Sequence, residues 1–299
     1  MKRLLLALLS AASIVSCSPA EPTADIICTT SVVADAVRCV VPEHVTVESL
    51  MGPEIDPHSY KPSQGDVNKL LGAKVVVYNG LHLEGKMTEI LEKITLQKPV
   101  YAMAHGMLEE DKIEVGPGVY DPHIWFDLSL WSTQVIGLGN FMQKAMPKDA
   151  PEIAEKSAGY AVKLMEEHTA FLTAMSAVDS NSRVMITAHD AFSYFGRAYG
   201  IEVRGLQGVS TVAEFGVKDV ADLAQFIIDR NVQTIFTETS VNAKSMDALR
   251  EAVAGKGGSV TLGEPLYSDA LGEGGTPEAT LIGAFKFNTT QILKSLSHE

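Results

Sequence analysis

No run of basic residues occurs in this sequence, and beyond its first residues no stretch supplies the roughly 20 consecutive apolar residues that a membrane-spanning helix needs. The first absence argues against a surface that tracks a phosphate backbone. The 24 Lys+Arg stand against 37 Asp+Glu, a formal charge of −13, so nucleic acid is not an expected partner. The second argues against a transmembrane helix in the mature protein. The His-Glu-x-x-His pattern of zinc hydrolases is also missing, which weighs against an enzyme. Cysteine is scarce: Cys17, Cys28 and Cys39 are the whole supply.

What is there begins with an export signal. Lys2 and Arg3 precede the apolar run Leu4 to Leu9, and the segment closes on Ile14-Val15-Ser16-Cys17. Residues 1–17 therefore read as a signal peptide ending at a lipobox, with Cys17 as the lipidated new N-terminus, and 18–24 as a short flexible tether. An exported, extracytoplasmic chain held on a bacterial membrane by its lipid is the expectation. Export implies an oxidising compartment, which raises the question of Cys28 and Cys39. Cys28 ends a strand-like run and Cys39 lies near the end of the next helix, a separation unsuited to a disulfide, so two unbridged, buried thiols are expected.

From Asp25 onward, β-branched apolar runs alternate with helical periods: Ile26–Cys28, Val75–Tyr78, Val184–Thr187 and Thr234–Thr237. Continuous apolar strands separated by helices predict parallel sheets covered on both faces, an α/β fold. The stretch from Pro151 to about Val178 breaks the rhythm, being charged and helical in period. It is long enough to join two lobes as a backbone helix. The expected division is a first lobe over 25–147, a linking helix over 148–179 and a second lobe over 180–299. Glu109 to Gly118 reads as a surface loop without a histidine run.

Three histidines share a local context. His58 and His123 each end an Asp-Pro-His tripeptide, and His189 follows the strand run ending Thr187-Ala188 and precedes Asp190. Loops beyond the carboxyl ends of parallel strands are where α/β folds bind ligands, and imidazole is the commonest protein ligand for transition metals. Proline fixes its own φ and pushes the preceding aspartate into extended backbone, so each histidine leaves the chain in a restricted direction. Asp56, Asp121 and Asp190 are candidates either to accept the second imidazole N–H or to cap nearby backbone. Asp269, before a glycine-rich loop, is a fourth candidate ligand. His82 follows a strand and is a candidate to support the site, with surface duty as the alternative. His44, His105, His168 and His298 read as solvated. The separations of the three histidines match no short zinc motif, so spacing by itself leaves the metal site undecided.

A string of segments carries a resemblance. Leu50-Met51-Gly52-Pro53 through Asp56-Pro57-His58, Val77 to Glu84, Asp121-Pro122-His123-Ile124-Trp125-Phe126-Asp127, Thr187 to Phe192, Gly205 to Thr211 and Phe236-Thr237-Glu238 follow one another over nearly the whole mature chain. The sequence resembles the TroA-like solute-binding lipoproteins of ABC importers for zinc and manganese, and the TroA branch more than the dedicated zinc-uptake or manganese-uptake branches. The resemblance implies two parallel-sheet lobes joined by one long helix, an ion in the cleft between them, and a membrane permease as the partner of a monomeric receptor. It puts the ligands at His58 and His123 from the first lobe and at His189 and Asp269 from the second. Such a set suits Zn2+ strongly and also accepts Mn2+ or Fe2+. The other readings are a surface adhesin and, less favoured, a zinc-dependent hydrolase.

Overall fold

The fold, a computed structural model, describes residues 24–297, so the signal segment with Cys17, most of the tether and His298 lie outside the described residues. In the first lobe, β1 (Ile26–Cys28), α1 (Ser31–Val40), β2 (Val47–Ser49), α2 (Gln64–Gly72), β3 (Val75–Tyr78), α3 (Thr88–Thr95) and β4 (Val100–Ala102) build a four-stranded parallel sheet in the order β2-β1-β3-β4. Ile26 pairs with both Val47 and Val75, which puts β1 at the centre. Alternation along the strands splits the core. Ile27 and Val76 meet Leu70, Leu91 and Ile94 from α2 and α3, whereas Ile26, Cys28, Val75 and Val77 join the larger cluster that includes α1. That burial on both faces is why these strands read as unbroken apolar runs.

The expected loop at Glu109–Gly118 is more ordered than its composition suggests. A 3₁₀ turn over Glu109–Asp111 leads into an antiparallel hairpin of β5 (Glu114–Gly116) and β6 (Val119–Tyr120). Pro117-Gly118 makes the turn, Gly118 having φ +70°, and that dipeptide was the available signal. The chain then enters α4 (Leu128–Ala145), capped by Asp127 Oδ1 accepting from the Leu130 N–H at 3.0 Å.

The long helix is α5 (Ala150–Met175), 26 residues with Pro151 in its first turn. Its length is about 39 Å at 1.5 Å per residue. It packs closely along α4, where a Cβ on Gly139 would come within 2.5 Å of Ser157 Oγ, so only glycine allows the approach. It also touches α1.

The second lobe follows with β7 (Val184–His189), α6 (Ser193–Tyr199), β8 (Glu202–Gln207), α7 (Val217–Asp229), β9 (Thr234–Ile235), α8 (Lys244–Gly255), β10 (Thr261–Leu262) and α9 (Leu281–Leu296). The parallel pairs β7–β8 and β9–β10 are joined by the Phe236 N–H donating to Ile186 O at 2.9 Å. The strand expected at Thr234–Thr237 is thus shorter. Ser259-Val260-Thr261 is also strand-like in sequence, and there the strand forms at Thr261–Leu262, between Gly257-Gly258 and Gly263.

The lobes share one core. Phe171 of α5, Phe195 and Tyr199 of α6 and Phe285 of α9 form an aromatic cluster with centroids 4.8 to 6.2 Å apart. It is continuous with the α1 and α4 core of the first lobe. Polar bonds cross as well. Ser31 Oγ accepts from the Leu271 N–H at 2.9 Å, and Asp35 Oδ2 accepts from the Leu281 N–H at 3.1 Å and from the Tyr160 hydroxyl at 3.0 Å. Burial pushes the Asp35 carboxyl above its ordinary value, against the opposing pull of those two donors. Cys28 and Cys39 are free thiols, as expected; Cys28 is fully buried, whereas Cys39 is only half-buried, short of the burial expected for it.

Candidate metal centre

The two Asp-Pro-His segments fold alike. Asp56 Oδ1 accepts from the backbone N–H of His58 at 2.8 Å, and Asp121 Oδ1 from that of His123 at 2.9 Å, so each aspartate closes a local turn that sets its histidine's direction. Beyond that the pair diverges. Asp121 Oδ1 also lies 2.7 Å from His123 Nδ1, which fixes the tautomer with the proton on Nδ1 and leaves Nε2 free. Asp56 instead turns Oδ2 to the hydroxyls of Ser59 and Thr211, at 2.8 and 2.6 Å. The alternatives left open by sequence thus resolve differently at each site.

His189 is the last residue of β7. Its backbone N–H donates to Glu238 Oε1 at 2.9 Å, and its Nδ1 lies 2.6 Å from Glu238 Oε2. Glu238 is therefore the carboxylate behind His189, a role the sequence reading did not assign. The signal was present in Phe236-Thr237-Glu238, but nothing in the chain spacing ties residue 238 to residue 189. Asp190, the neighbour in sequence, does something else: its Oδ1 accepts from the Gly205 N–H at 2.6 Å. Asp190 lies just beyond the last residue of the strand, and its carboxylate is occupied by that backbone N–H. A Cβ on Gly205 would fall 2.5 Å from the Asp190 nitrogen, so glycine there lets β8 pass under the ligand strand.

Asp269 closes the group. The ring of the neighbouring Trp125 donates its Nε1–H to Ser268 O at 2.9 Å, holding the residue before Asp269 against the first lobe. His58, His123, His189 and Asp269 are all buried, and one donor atom from each lies within 4.8 Å of the others. His58 Nε2 is 3.1 Å from His123 Nε2. Asp269 Oδ1 is 3.4 Å from His123 Nε2, and Oδ2 is 3.3 Å from His189 Nε2 and 3.9 Å from His58 Nε2. A tetrahedral ion with bonds of about 2.0–2.1 Å has edges of about 3.3 Å; three of these separations lie near that value, while the group as a whole spreads to 4.8 Å, wider than one closed tetrahedron. Both Asp269 oxygens are buried without a hydrogen-bond partner among the described residues, as is His189 Nε2. Convergent, unpartnered donors in the interior carry a desolvation penalty that a cation removes.

The electrostatics of the group point the same way. Burial lowers His58 to about 4, with the neighbouring imidazoles adding to the fall and Asp269 opposing it, so His58 is a neutral donor at pH 7. Burial also pulls on His189, but Glu238 and Asp269 outweigh it and hold the imidazole well above its ordinary value. Asp269 is lowered: burial would raise it, and His189 in particular overcomes that. Without metal, His189 and Asp269 thus behave as an ion pair.

His82 stands apart from this group. It is exposed, at a φ of +63°, and lines a surface pocket with His105, Lys112 and Tyr120, so it does not support the metal group. The left-handed turn at Leu81-His82 aims it outward, which the strand pattern before it does not disclose. His168 also departs from its solvated reading: it is half-buried, with Nδ1 3.1 Å from the Tyr199 hydroxyl. His44 and His105 are exposed as expected.

Glu238→Gln keeps the shape of the carboxylate and removes its charge. Loss of such a partner typically costs about 10–100-fold in metal affinity, and that fall, with the fold's melting behaviour retained, is the expected result of isothermal titration. An unchanged affinity would mean that Glu238 does not tune His189.

Known proteins supply the last comparison. The chain matches the family described as zinc-uptake complex component A, periplasmic, over residues 26–295. It is 42% identical over 278 residues to the manganese-binding lipoprotein MntA of Bacillus subtilis, covering 93% of this chain and 91% of that one. It is 38% identical over 272 residues to the zinc-binding protein TroA of Treponema pallidum, covering 91% and 88%. The solved periplasmic zinc-binding TroA of Treponema pallidum superposes with a TM-score of 0.88 over 91% of this chain and 98% of that chain. A relative named for manganese and one named for zinc thus both match over nearly the whole chain.

Proposed function

The chain belongs to the zinc-uptake component A family, and from that premise we propose that it captures one divalent transition metal ion between its lobes and delivers it to an ABC-type importer. His58, His123, His189 and Asp269 are the ligands in this reading, and the ion is cargo, not a resident cofactor. The observation that carries it is the meeting of four buried donors from distant parts of the chain, each within 4.8 Å of the others. Three imidazoles and one carboxylate suit Zn2+, and Mn2+ and Fe2+ are accepted with lower intrinsic affinity. Both oxygens of Asp269 face the imidazoles, which allows a coordination number above four, a geometry Mn2+ tolerates. Magnesium and calcium prefer an all-oxygen shell.

Binding rather than catalysis follows from the burial. The side chain of His58 is 3% exposed and those of the other three are fully buried, which leaves a substrate no room beside the ion. The relatives' names support the same reading, as they describe binding and uptake. Relatives named as lipoproteins support an extracytoplasmic chain anchored through Cys17; a monomer acting on a permease completes the proposal. The two-lobe division at 25–147, 148–179 and 180–299 is part of this proposal.

The test is reconstitution of chelator-stripped protein, with metal content and proton release read together. One Zn2+ or Mn2+ per chain is expected, with release of a proton, because His189 must be neutral to ligate. The sign follows from the shift. His189, raised in the metal-free fold, stabilises that fold below its unfolded value and loses this contribution as pH rises through the raised one. Metal affinity should therefore increase over the same rising window, as the competing proton leaves. Absence of stoichiometric metal would overturn the reading.

A further inference from the structure

The lobes are joined at the lip of the metal centre by a contact that includes no ligand. Thr211, in the loop after β8, donates its hydroxyl proton to Asp56 Oδ2 at 2.6 Å. Asp56 belongs to the first lobe and Thr211 to the second. The same carboxylate holds the His58 backbone through Oδ1, so the bond reaches a ligand-bearing turn directly.

On the other side the path is equally short. Gln207 is the register partner of His189 in the β7–β8 pair. Its Nε2 donates to the carbonyls of Thr211 and Ala213, at 3.3 and 3.2 Å, and so fixes the loop that carries the threonine. His189 is thus linked to His58 by a route through Gln207, Thr211 and Asp56 that does not pass through the ion.

Resting on the metal-capture reading, we infer that the Thr211–Asp56 hydrogen bond is a latch that slows escape of the bound ion, with Thr211 a positioning residue that touches neither the ion nor a ligand side chain. A hydrogen bond to a carboxylate is stronger than one between neutral groups, which gives the latch a measurable hold. Thr211 is only half-buried and the loop beyond it, Val212 to Glu214, is exposed, so water can replace the bond when the lip opens. Because the ion enters before the lip closes over it, loss of the latch acts on departure and leaves capture at its native rate.

The experiment loads the native chain and the Thr211→Val and Thr211→Ser variants with Zn2+, then follows release into excess chromogenic chelator by stopped flow, with the capture rate measured separately. Valine keeps the shape and removes the hydroxyl. Release about tenfold faster in Thr211→Val, capture at the native rate, and native release restored in Thr211→Ser are expected. A merely structural threonine would not split the two rates. Release within about twofold of native, a loss of affinity carried by slower capture, or serine behaving like valine would each overturn the latch. Failure of the native chain to take up zinc would overturn the capture reading itself, so the two failures are distinct.

Discussion

His58→Ala is expected to weaken zinc and manganese binding by more than about 100-fold, beyond the range typical for loss of a group that merely supports a ligand. The argument rests on what His58 contributes. Held near a pKa of about 4, it offers a free nitrogen lone pair at neutral pH without giving up a proton, whereas His189 must lose one. Its nitrogen lies 3.1 Å from that of His123, a proximity that a shared cation turns from crowding into coordination. Alanine therefore removes the donor that costs least to recruit. The metal-free fold should be hardly affected, because the backbone turn at Asp56-Pro57 persists and His58 has no carboxylate that would be stranded. That distinguishes it from His123→Ala, which would leave the buried Asp121 without its imidazole. Competition titration with a chelator, alongside a metal-free melt, measures both halves. Native affinity in His58→Ala would remove it from the ligand set.

The second large effect is on stability. Phe195 is buried among Phe171, Phe192, Tyr199 and Phe285, with its nearest ring centroid, that of Tyr199, at 4.8 Å. Phe195→Ala should cost about 3–5 kcal/mol, the transfer term plus the cavity left where α5, α6 and α9 meet. Denaturant melts must be run on stripped protein, since a ligand that binds only the native state adds its own stabilisation and would mask the loss. Phe195→Leu should recover part of it. A cost below about 1 kcal/mol would mean that the lobes do not share the core described above.

Much of this architecture could be read from residue pattern. The parallel strands announce themselves because burial on both faces makes Ile26-Ile27-Cys28 and Val75-Val76-Val77 continuously apolar, and α5 does so by length. What escaped was short or non-local. β9 and β10 were found as strands but not in their bounds: they span only Thr234–Ile235 and Thr261–Leu262, too brief for a period to fix their ends. The hairpin at Glu114–Tyr120 was hidden by its charge, though Pro117-Gly118 marked its turn. Among the candidate site residues, the repeated Asp-Pro-His drew attention to His58 and His123 because proline restricts the chain in a way a sequence displays. Glu238 stood in a recognised segment but went unassigned for the opposite reason: its tie to His189 exists only once β7 and the chain after β9 lie side by side. Asp190 takes the second of its two candidate roles, holding a backbone N–H, because it lies just past the end of β7 and beside β8.

The segment after Asp269 has a last consequence. Its two ends, Leu271 and Leu281, are each fastened to α1 of the opposite lobe, through Ser31 and Asp35, while Gly272, Gly274 and Gly275 lie between. A strip of chain pinned at both ends keeps its contour length and its endpoints, so only the path between them can change, and its freedom is slack and not swing. Departure of an ion is then absorbed where glycines tolerate new dihedrals, within a few residues, while the 26-residue strut of α5 keeps the outer dimensions of the molecule nearly constant. Small-angle scattering, which reports those dimensions, should hardly distinguish the loaded protein from the empty one, whereas amide exchange at Gly272–Gly275 should.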